Sequence, residues 1–431
     1  MMRLTRVLVA TRGAMARRLI QHYRALGVET AVGFSEPDAE LSYLDDADFP
    51  VFLNGRTVAE TYLSASRVVE AAMDSGCEAV HPGNCFLADH LELYDLANQA
   101  NLAVIGADVR SLAGAGDRVL LRRLAREQGI PVLPGSDAIA PSSDGMEEAA
   151  AIGAPLFAKS ARGRCSVRAS RLEDVPAAVA SVRRRAQLLS GDPGVYLERA
   201  VDGNRQVGVP VVLDRHGTAV ALGVAEATLE HPGWRTGIEE FGGGLRLIQP
   251  GIEAASLRLA RAISWVGVGR VRWAVSASGA WFLQGFSPRL TTGFDLWEAV
   301  HGIDLLDAQW RSLAGESLGW EEPTSVPKVG LQLRLYHLDP ATGERPSGVL
   351  ERLSVPGEGV QLGGVDPGMM LDQETDLLLA KLTFSGDSRG EVIARARTAL
   401  EAVEVAGVPT NLASLRAAID RAASGSDVAE A

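Results

Sequence analysis

Residues 6–20, RVLVATRGAMARRLI, join an apolar run to a Thr-Arg-Gly turn and then to the first turns of an amphipathic stretch. RVLVAT is too short and too uniformly apolar for a helix and reads as a buried strand. RGAMARRLIQHYRALG, with apolar residues recurring at helical spacing, reads as the helix after it. The same alternation continues outward. TAVGF (30–34), EAVHP (78–82) and LAVIGA (102–107) are further short strands, and TVAETYLSASRVVEAAMDSG (57–76) is amphipathic at helical period. Strands alternating with helices predict an α/β fold with a parallel sheet of Rossmann-like winding up to about residue 111. No GxGxxG follows the first strand, so this winding gives no support to a dinucleotide site.

From Asp117 the pattern changes to a helix, a small α+β unit and a mixed sheet, with the proline-bearing residues 131–141 as a hinge. PTSVPK (323–328) has the two prolines and polar residues of a linker. Beyond it, GLQLRLYHL through KLTFSG is strand-rich, and residues 389–407 form a closing helix. The expected domains are therefore 1–111, 112–322 with a lid at about 133–205, and 328–425. A net charge of −12 and a pI near 5.2 argue against nucleic-acid or anionic-membrane partners, which reward a basic face. No apolar run approaches the roughly 20 residues of a membrane span, and the first residues lack an export signal. Cys77, Cys85 and Cys165 have no metal-ligand spacing. A reduced, cytoplasmic setting is the expectation.

Several segments occur in the order and at the spacing of a known family. They are HPGNCFLAD (81–89), PVLPGSD (131–137), IGAPLFAKS (152–160), YLERAVDGNRQV (196–207), residues 376–381 and GVPTNL (407–412). With Arg12 and Gly13 after the first strand, the chain resembles, over nearly its whole length, the biotin carboxylase component of acyl-CoA carboxylases. The resemblance implies a biotin-carboxylase-like fold: a Rossmann-like pre-ATP-grasp N-terminal domain, an ATP-grasp central domain with a small lid, and a strand-rich α+β C-terminal domain.

The same resemblance exposes departures. An ATP-grasp enzyme activates a carboxylate by phosphoryl transfer, which rests on positioning and on neutralising phosphate charge. The family holds its magnesium with two glutamates and an asparagine. Laid on that pattern without gaps, these fall on Trp273, Gly285 and Ser287, and residues 271–294, which include most of WFLQGFSPRLTTGFDLWE (281–298), contain no Asp or Glu. The family's glycine-rich lid loop is replaced by SARGRCSVRAS after Lys159, where Arg162, Arg164 and Arg168 either attract a regulatory anion or form an ordinary cationic surface. For bicarbonate and biotin, the family's base falls on Gly208, its lysine on Thr236, its histidine on Trp234 and one arginine on Gln361. Arg289 remains, with Glu239, Glu240 and Glu298 nearby. Without a base in reach, bicarbonate is not deprotonated for attack.

Some positions persist. Lys159, Glu198, Arg199 and Arg118 mark a nucleotide-shaped cleft in which the resemblance implies at most weak ATP or ADP binding. Asp376 and Lys381 read as a structural polar pair, and His81 as a buried histidine satisfying a backbone carbonyl. His231, His301 and His337 are isolated, and there is no GxSxG. No Ala-Met-Lys-Met segment is present, so biotin is not expected to be attached to this chain. The expected function is that of a catalytically inactive biotin-carboxylase-like subunit needing no cofactor. Its expected partners are a second copy or an active carboxylase, a biotin carboxyl carrier protein and a carboxyltransferase. The alternative is an active ATP-dependent biotin carboxylase, or another ATP-grasp ligase, with relocated metal ligands.

Overall fold

The computed structural model describes residues 4–84, 86–162, 165–201, 205–231, 235–243, 245, 248–320 and 328–424. Of the expected linker, 323–328, residues 323–327 lie outside them, as do Cys85, Gly163, Arg164 and Trp234.

The N-terminal part is a parallel sheet of β1 (Arg6–Val9), β2 (Glu29–Phe34), β3 (Phe49–Phe52), β4 (Ala79–His81) and β5 (Ala103–Val104), in the order β3-β2-β1-β4-β5. β1 is apolar on both sides because both sides are covered. Val7 and Val9 pack with Leu19 and Ile20 of the helix Gly13–Ala25, whereas Leu8 packs with Val68, Ala72 and Leu93 of the helices on the other face. The expected Rossmann-like winding is what the chain adopts.

The turn after β1 also docks the far end of the chain. Gly13 has φ +67°, and a Cβ there would overlap the Asp376 carboxylate. Next to it, the buried Arg12 guanidinium donates to the carbonyls of Glu374 and Thr375 and pairs with Asp38 at 3.4 Å. The N- and C-terminal parts are thereby clasped through one Arg-Gly step.

The lid is an antiparallel sheet of β6 (Leu156–Ser160), β7 (Ser166–Ala169) and β8 (Val195–Arg199), in the order β7-β6-β8, under the helix Val175–Ser190. It has its own core, which includes Ile139, Leu156, Val179, Val182 and Leu197. The PVLPGSD segment straps this lid to the larger sheet: Pro131 O accepts from Leu283 N at 2.9 Å, and Ser136 N donates to Leu197 O at 2.9 Å.

That larger sheet contains β9 (Arg205–Leu213), β10 (Ala219–Ala221), β11 (Ala225–His231), β12 (Arg235–Phe241), β13 (Gly267–Val275), β14 (Trp281–Ser287) and β15 (Val329–Tyr336). After the ribbon strands β16 (Gly348–Val349) and β17 (Arg352–Ser354), it gains β18 (Val360–Leu362) and, after β19 (Met370–Leu371), β20 (Leu378–Gly386). Its order is β14-β13-β9-β11-β12-β15-β20-β18, with β10 beside β9. β12 pairs antiparallel with β15 across the expected linker, with Glu239 opposite Gln332. The C-terminal strands therefore continue the central sheet.

Lys381 on β20 does not pair with Asp376. Its ammonium meets Asp295 at 2.7 Å, while Asp376 accepts from the Leu378 amide at 3.1 Å. Both side chains of the Lys381–Asp295 pair are buried, with exposures of 3% and 6%. Removing one partner strands the other charge. Asp295→Ala is expected to cost about 3–5 kcal/mol in chemical denaturation, and the volume-matched double variant Asp295→Leu, Lys381→Met clearly less. Equal losses in the two variants would show that packing, and not the charge pair, holds this joint.

Candidate active site

Between the lid and the central sheet, polar groups converge on one carboxylate. β8 alternates its side chains, so Tyr196 and Glu198 share a face while Leu197 enters the lid core. Lys159 on β6 lies opposite Tyr196 on that same face. The buried Glu198 carboxylate receives the Lys159 ammonium on one oxygen and the Arg122 guanidinium on the other. Lys159 Nζ also donates to Gln284 Oε1 at 3.0 Å, and Arg122 Nη2 to Leu133 O at 2.8 Å. Arg118 opens the helix Arg118–Glu127 and donates to Ser160 O at 3.4 Å. Burial lowers the pKa of Lys159, Glu198 opposes this, and the charges of Arg118 and Arg272 lower it further.

Of the residues expected in a nucleotide cleft, Arg118, Lys159 and Glu198 thus come together. Arg199 does not: it is exposed on the other face of β8, and its Nη1 donates to Ile152 O at 2.8 Å. Sequence reasoning missed Arg122 and Gln284. Arg122 was legible as the residue one helical turn after Arg118, on the same face.

The positions expected for metal ligands lie elsewhere. Trp273 is fully buried; its indole N–H donates to Ser256 Oγ at 3.0 Å and its ring meets Trp281 edge-on at 5.2 Å. Arg272 is opposite Gly285, but Trp273 is already opposite Leu283, so Gln284 is the extra residue of a β-bulge. The bulge turns Gln284 toward Lys159. Arg272 Nη2 stands 3.0 Å from where a Cβ on Gly285 would be, and its charge acts on both Lys159 and Tyr196. Ser287 is half-buried opposite Arg270. Magnesium requires hard oxygen ligands, usually carboxylates. A guanidinium, an amide and a doubly paired glutamate do not fit it, and among the described residues no three His, Cys, Asp or Glu side chains gather as a metal site.

The region expected to activate bicarbonate is filled from within. Glu239 on β12 is clasped by Arg270 of β13 and Arg334 of β15. Burial pushes its carboxyl up, but the two guanidiniums outweigh this and hold it below the usual glutamate range. Arg270 lies across Gly208, where a Cβ would overlap its guanidinium, and Arg334 with Glu239 closes over Gly293 in the same way. A separate small cavity of about 10 Å³ is lined by Arg270, Arg289, Thr291, Phe294 and Trp297 and not by Gly208, Glu239 or Gly293. Arg289 itself is buried, donating to the carbonyls of Asn84 and Leu290 and pairing with Asp89 at 3.4 Å. Glu240 pairs with Arg389 at 2.6 Å. Thr236 contributes its carbonyl to Arg334 and to the Tyr336 hydroxyl, and Gln361 lies on β18 opposite Lys381.

Of the remaining candidates, Arg162 pairs with Asp117 at 3.4 Å and Asp192 at 3.6 Å, and Arg168 is exposed on β7. His81 serves its turn differently from expectation: its Nδ1 accepts the Gly83 amide at 3.0 Å, and burial lowers its pKa to about 3, so the ring is neutral.

Glu298, also near this region, accepts the Leu305 amide at 2.7 Å and faces Arg18 at 3.8 Å. Burial raises its carboxyl from 4.5 to about 7, against the pull of Arg18. Such a group binds its proton more tightly folded than unfolded. Its contribution to stability is therefore full below pH 4.5 and is lost as pH rises through about 7. Glu298→Gln is expected to flatten the fall in stability between pH 5 and 7.5 by up to about 3 kcal/mol, read from denaturation midpoints at each pH. An unchanged pH profile would place the titration elsewhere.

Comparison with known proteins agrees with this architecture. Residues 3–112 match the biotin carboxylase N-terminal domain, 117–320 the carbamoyl-phosphate synthase L chain ATP-binding domain, and 332–427 the biotin carboxylase C-terminal domain. The chain is 28% identical over 425 residues to a biotin carboxylase of Halalkalibacterium halodurans, covering 96% of this chain and 94% of that one. It is 30% identical over 425 residues to the biotin-dependent acyl-coenzyme A carboxylase alpha3 subunit of Mycobacterium leprae, covering 97% and 71%. The biotin carboxylase domain dimer of Hydrogenobacter thermophilus 2-oxoglutarate carboxylase, solved with MgADP, ADP and bicarbonate, superposes with a TM-score of 0.90 at 25% identity, covering 98% of this chain and 95% of that one. In fold, domain order and sequence, the chain belongs to the biotin carboxylase family, as a biotin-carboxylase-like member of the biotin-dependent carboxylases.

Proposed function

We propose that this chain is a catalytically inactive subunit of an acyl-CoA carboxylase system, retained as a structural or regulatory partner of an active carboxylase. One observation carries the reading: the buried Arg270–Glu239–Arg334 cluster fills the carboxylation centre across Gly208 and Gly293. A base standing at Gly208 would collide with Arg270, and the Arg334 guanidinium with Glu239 already takes the space over Gly293. Beside Lys159, the bulge points to Arg272 and Gln284 as the residues standing in for the family's two magnesium glutamates, one position before Trp273 and Gly285. Metal binding and bicarbonate activation each fail on chemistry. Losing either ordinarily costs orders of magnitude in rate.

The domains at 1–111, 112–322 and 328–425 fit this role. The Arg12–Gly13 clasp to residues 374–376 preserves the terminal parts, through which we infer pairing with a second copy or with an active biotin carboxylase. The biotin carboxyl carrier protein and the carboxyltransferase are the further partners, in the cytoplasm. No helix among the described residues is long and apolar enough to cross a membrane. The competing reading, an active ATP-dependent biotin carboxylase or ATP-grasp ligase with relocated ligands, draws on the activity named for the relatives.

Purified protein given MgATP, bicarbonate and free biotin is expected to release ADP at the rate of a buffer control, with or without biotin. Biotin-dependent ADP release that disappears in the Lys159→Gln variant would overturn the inactive reading and establish the competing one.

A further inference from the structure

We propose that the turn at Asn54 and Gly55 is a site of self-modification. There the asparagine side chain closes on the next backbone amide, loses ammonia and becomes aspartate or isoaspartate, and the altered turn loosens the joint between the N- and C-terminal parts. The proposal is independent of whether the chain is catalytically active.

Sequence is the first argument. Of the six asparagines in the chain, Asn54 alone is followed by glycine. The reaction brings the Gly55 nitrogen onto the Asn54 side-chain carbonyl carbon, and a residue without Cβ leaves that nitrogen uncrowded. Local structure is the second argument. Asn54 lies just beyond β3, exposed and with φ +51°, a left-handed backbone that asparagine accepts. Leu53 N donates to Phe34 O and Gly55 O accepts from Glu36 N, both at 2.9 Å, so the main chain is held on each side. Between these bonds, among the described residues, neither the Asn54 side-chain amide nor the Gly55 N–H has a hydrogen-bond partner that would have to be released.

The chemistry needs only solvent. As the Gly55 nitrogen bonds to Asn54 Cγ, the Cγ–Nδ2 bond breaks, and the side-chain amide leaves as ammonia with the proton that the nitrogen gives up. Water then opens the five-membered imide. Breaking the new Cγ–N bond gives aspartate. Breaking the original backbone bond sends the chain through the side chain, as isoaspartate, one methylene longer.

Position gives the change its effect. Arg56 Nη2 donates to Asp372 at 2.8 Å and Val58 N to Glu374 Oε2 at 2.8 Å, so this turn holds the same C-terminal stretch that Arg12 clasps. Glu36 faces Arg56 at 3.5 Å, and Glu60 accepts the Thr57 amide at 3.0 Å. Carboxylates from Glu36, Glu60, Asp372 and Glu374 already meet here, and a further one at residue 54 repels them. The extra methylene of isoaspartate parts the two bonds that hold the main chain.

The test is incubation of the full chain at neutral pH and at about pH 9, followed by tryptic mapping. The fragment 25–56 contains no other asparagine or glutamine. A gain of about one mass unit in it therefore reports Asn54 alone. The folded chain is expected to show this gain several-fold faster at the higher pH, with isoaspartate detected by methyltransferase labelling. Asn54→Gly, which suits the left-handed backbone and has no side-chain amide, is expected to show neither. The converted fraction, separated by ion exchange, is expected to melt about 1–3 °C below the unconverted one. A sample unfolded in urea reports conversion without the fold. Conversion of the unfolded chain but not of the folded one overturns the inference, because the fold then locks the turn. Conversion with an unchanged midpoint overturns the loosening of the joint.

Discussion

The constraint on which this structure turns is the burial of Glu239. A carboxylate that deep in a sheet is tolerable only if its charge is answered locally, and two arginines answer it, one from β13 and one from β15. Each arginine then needs somewhere to lie. Arg270 takes the space above Gly208 and stacks over the Trp297 ring at 4.8 Å, and Arg334 takes the space above Gly293 and donates to Gln332 at 2.8 Å. Gln332 passes the network to Asp295 at 2.9 Å, and Asp295 to Lys381. One face of the sheet is thus a continuous string of compensated charges running from the ATP-grasp strands into the C-terminal strands. The glycines at 208 and 293 are consequences of that string, because any larger side chain would overlap an arginine.

This network joins two properties that are separable in principle. It is structural, because breaking any link leaves a buried charge unanswered. It also fills space, because the guanidiniums occupy the volume over Gly208 and Gly293. The two effects have the same residues as their cause. A mutation that cleared this space by removing Arg270 would strip Glu239 of one partner, so stability opposes it. The lid cleft differs. Its glutamate is equally buried, but its partners, Lys159 and Arg122, come from a lid strand and from the helix Arg118–Glu127, so this carboxylate joins the lid to a helix and not strand to strand.

Much of the fold was legible in the residues. Alternation of short apolar runs with helical-period stretches gives the first sheet, because β1 is covered on both faces and therefore needs apolar residues on both. The continuity of the central sheet through β12 and β15 was not legible, since pairing between strands far apart in the chain leaves no local mark on either one. In the site, Lys159, Glu198 and Arg118 could be named because the family spacing carries them. The side chains facing Lys159 could not be placed by counting. The bulge at Gln284 inserts one residue into β14 and turns that side chain toward Lys159, while on β13 simple alternation puts Trp273 in the core and Arg272 on the other face, opposite Gly285. Arg270 and Arg272 had given a readable warning in GVGRVRWAV: two arginines two apart on an apolar strand share one face, and a buried face accepts them only with partners.

Arg199 marks the opposite lesson. Its place next to Glu198 in sequence suggested a shared role, yet on a strand adjacent residues point to opposite sides. Glu198 turns to the cleft, and Arg199 turns to the carbonyl end of the helix Met146–Ile152, where a cation is favoured by the helix dipole. Which side chains share a site is therefore decided by face before it is decided by nearness in sequence. The cleft face accordingly brings Lys159 and Glu198 together with Gln284, which the bulge turns inward, whereas Arg199 is excluded from it.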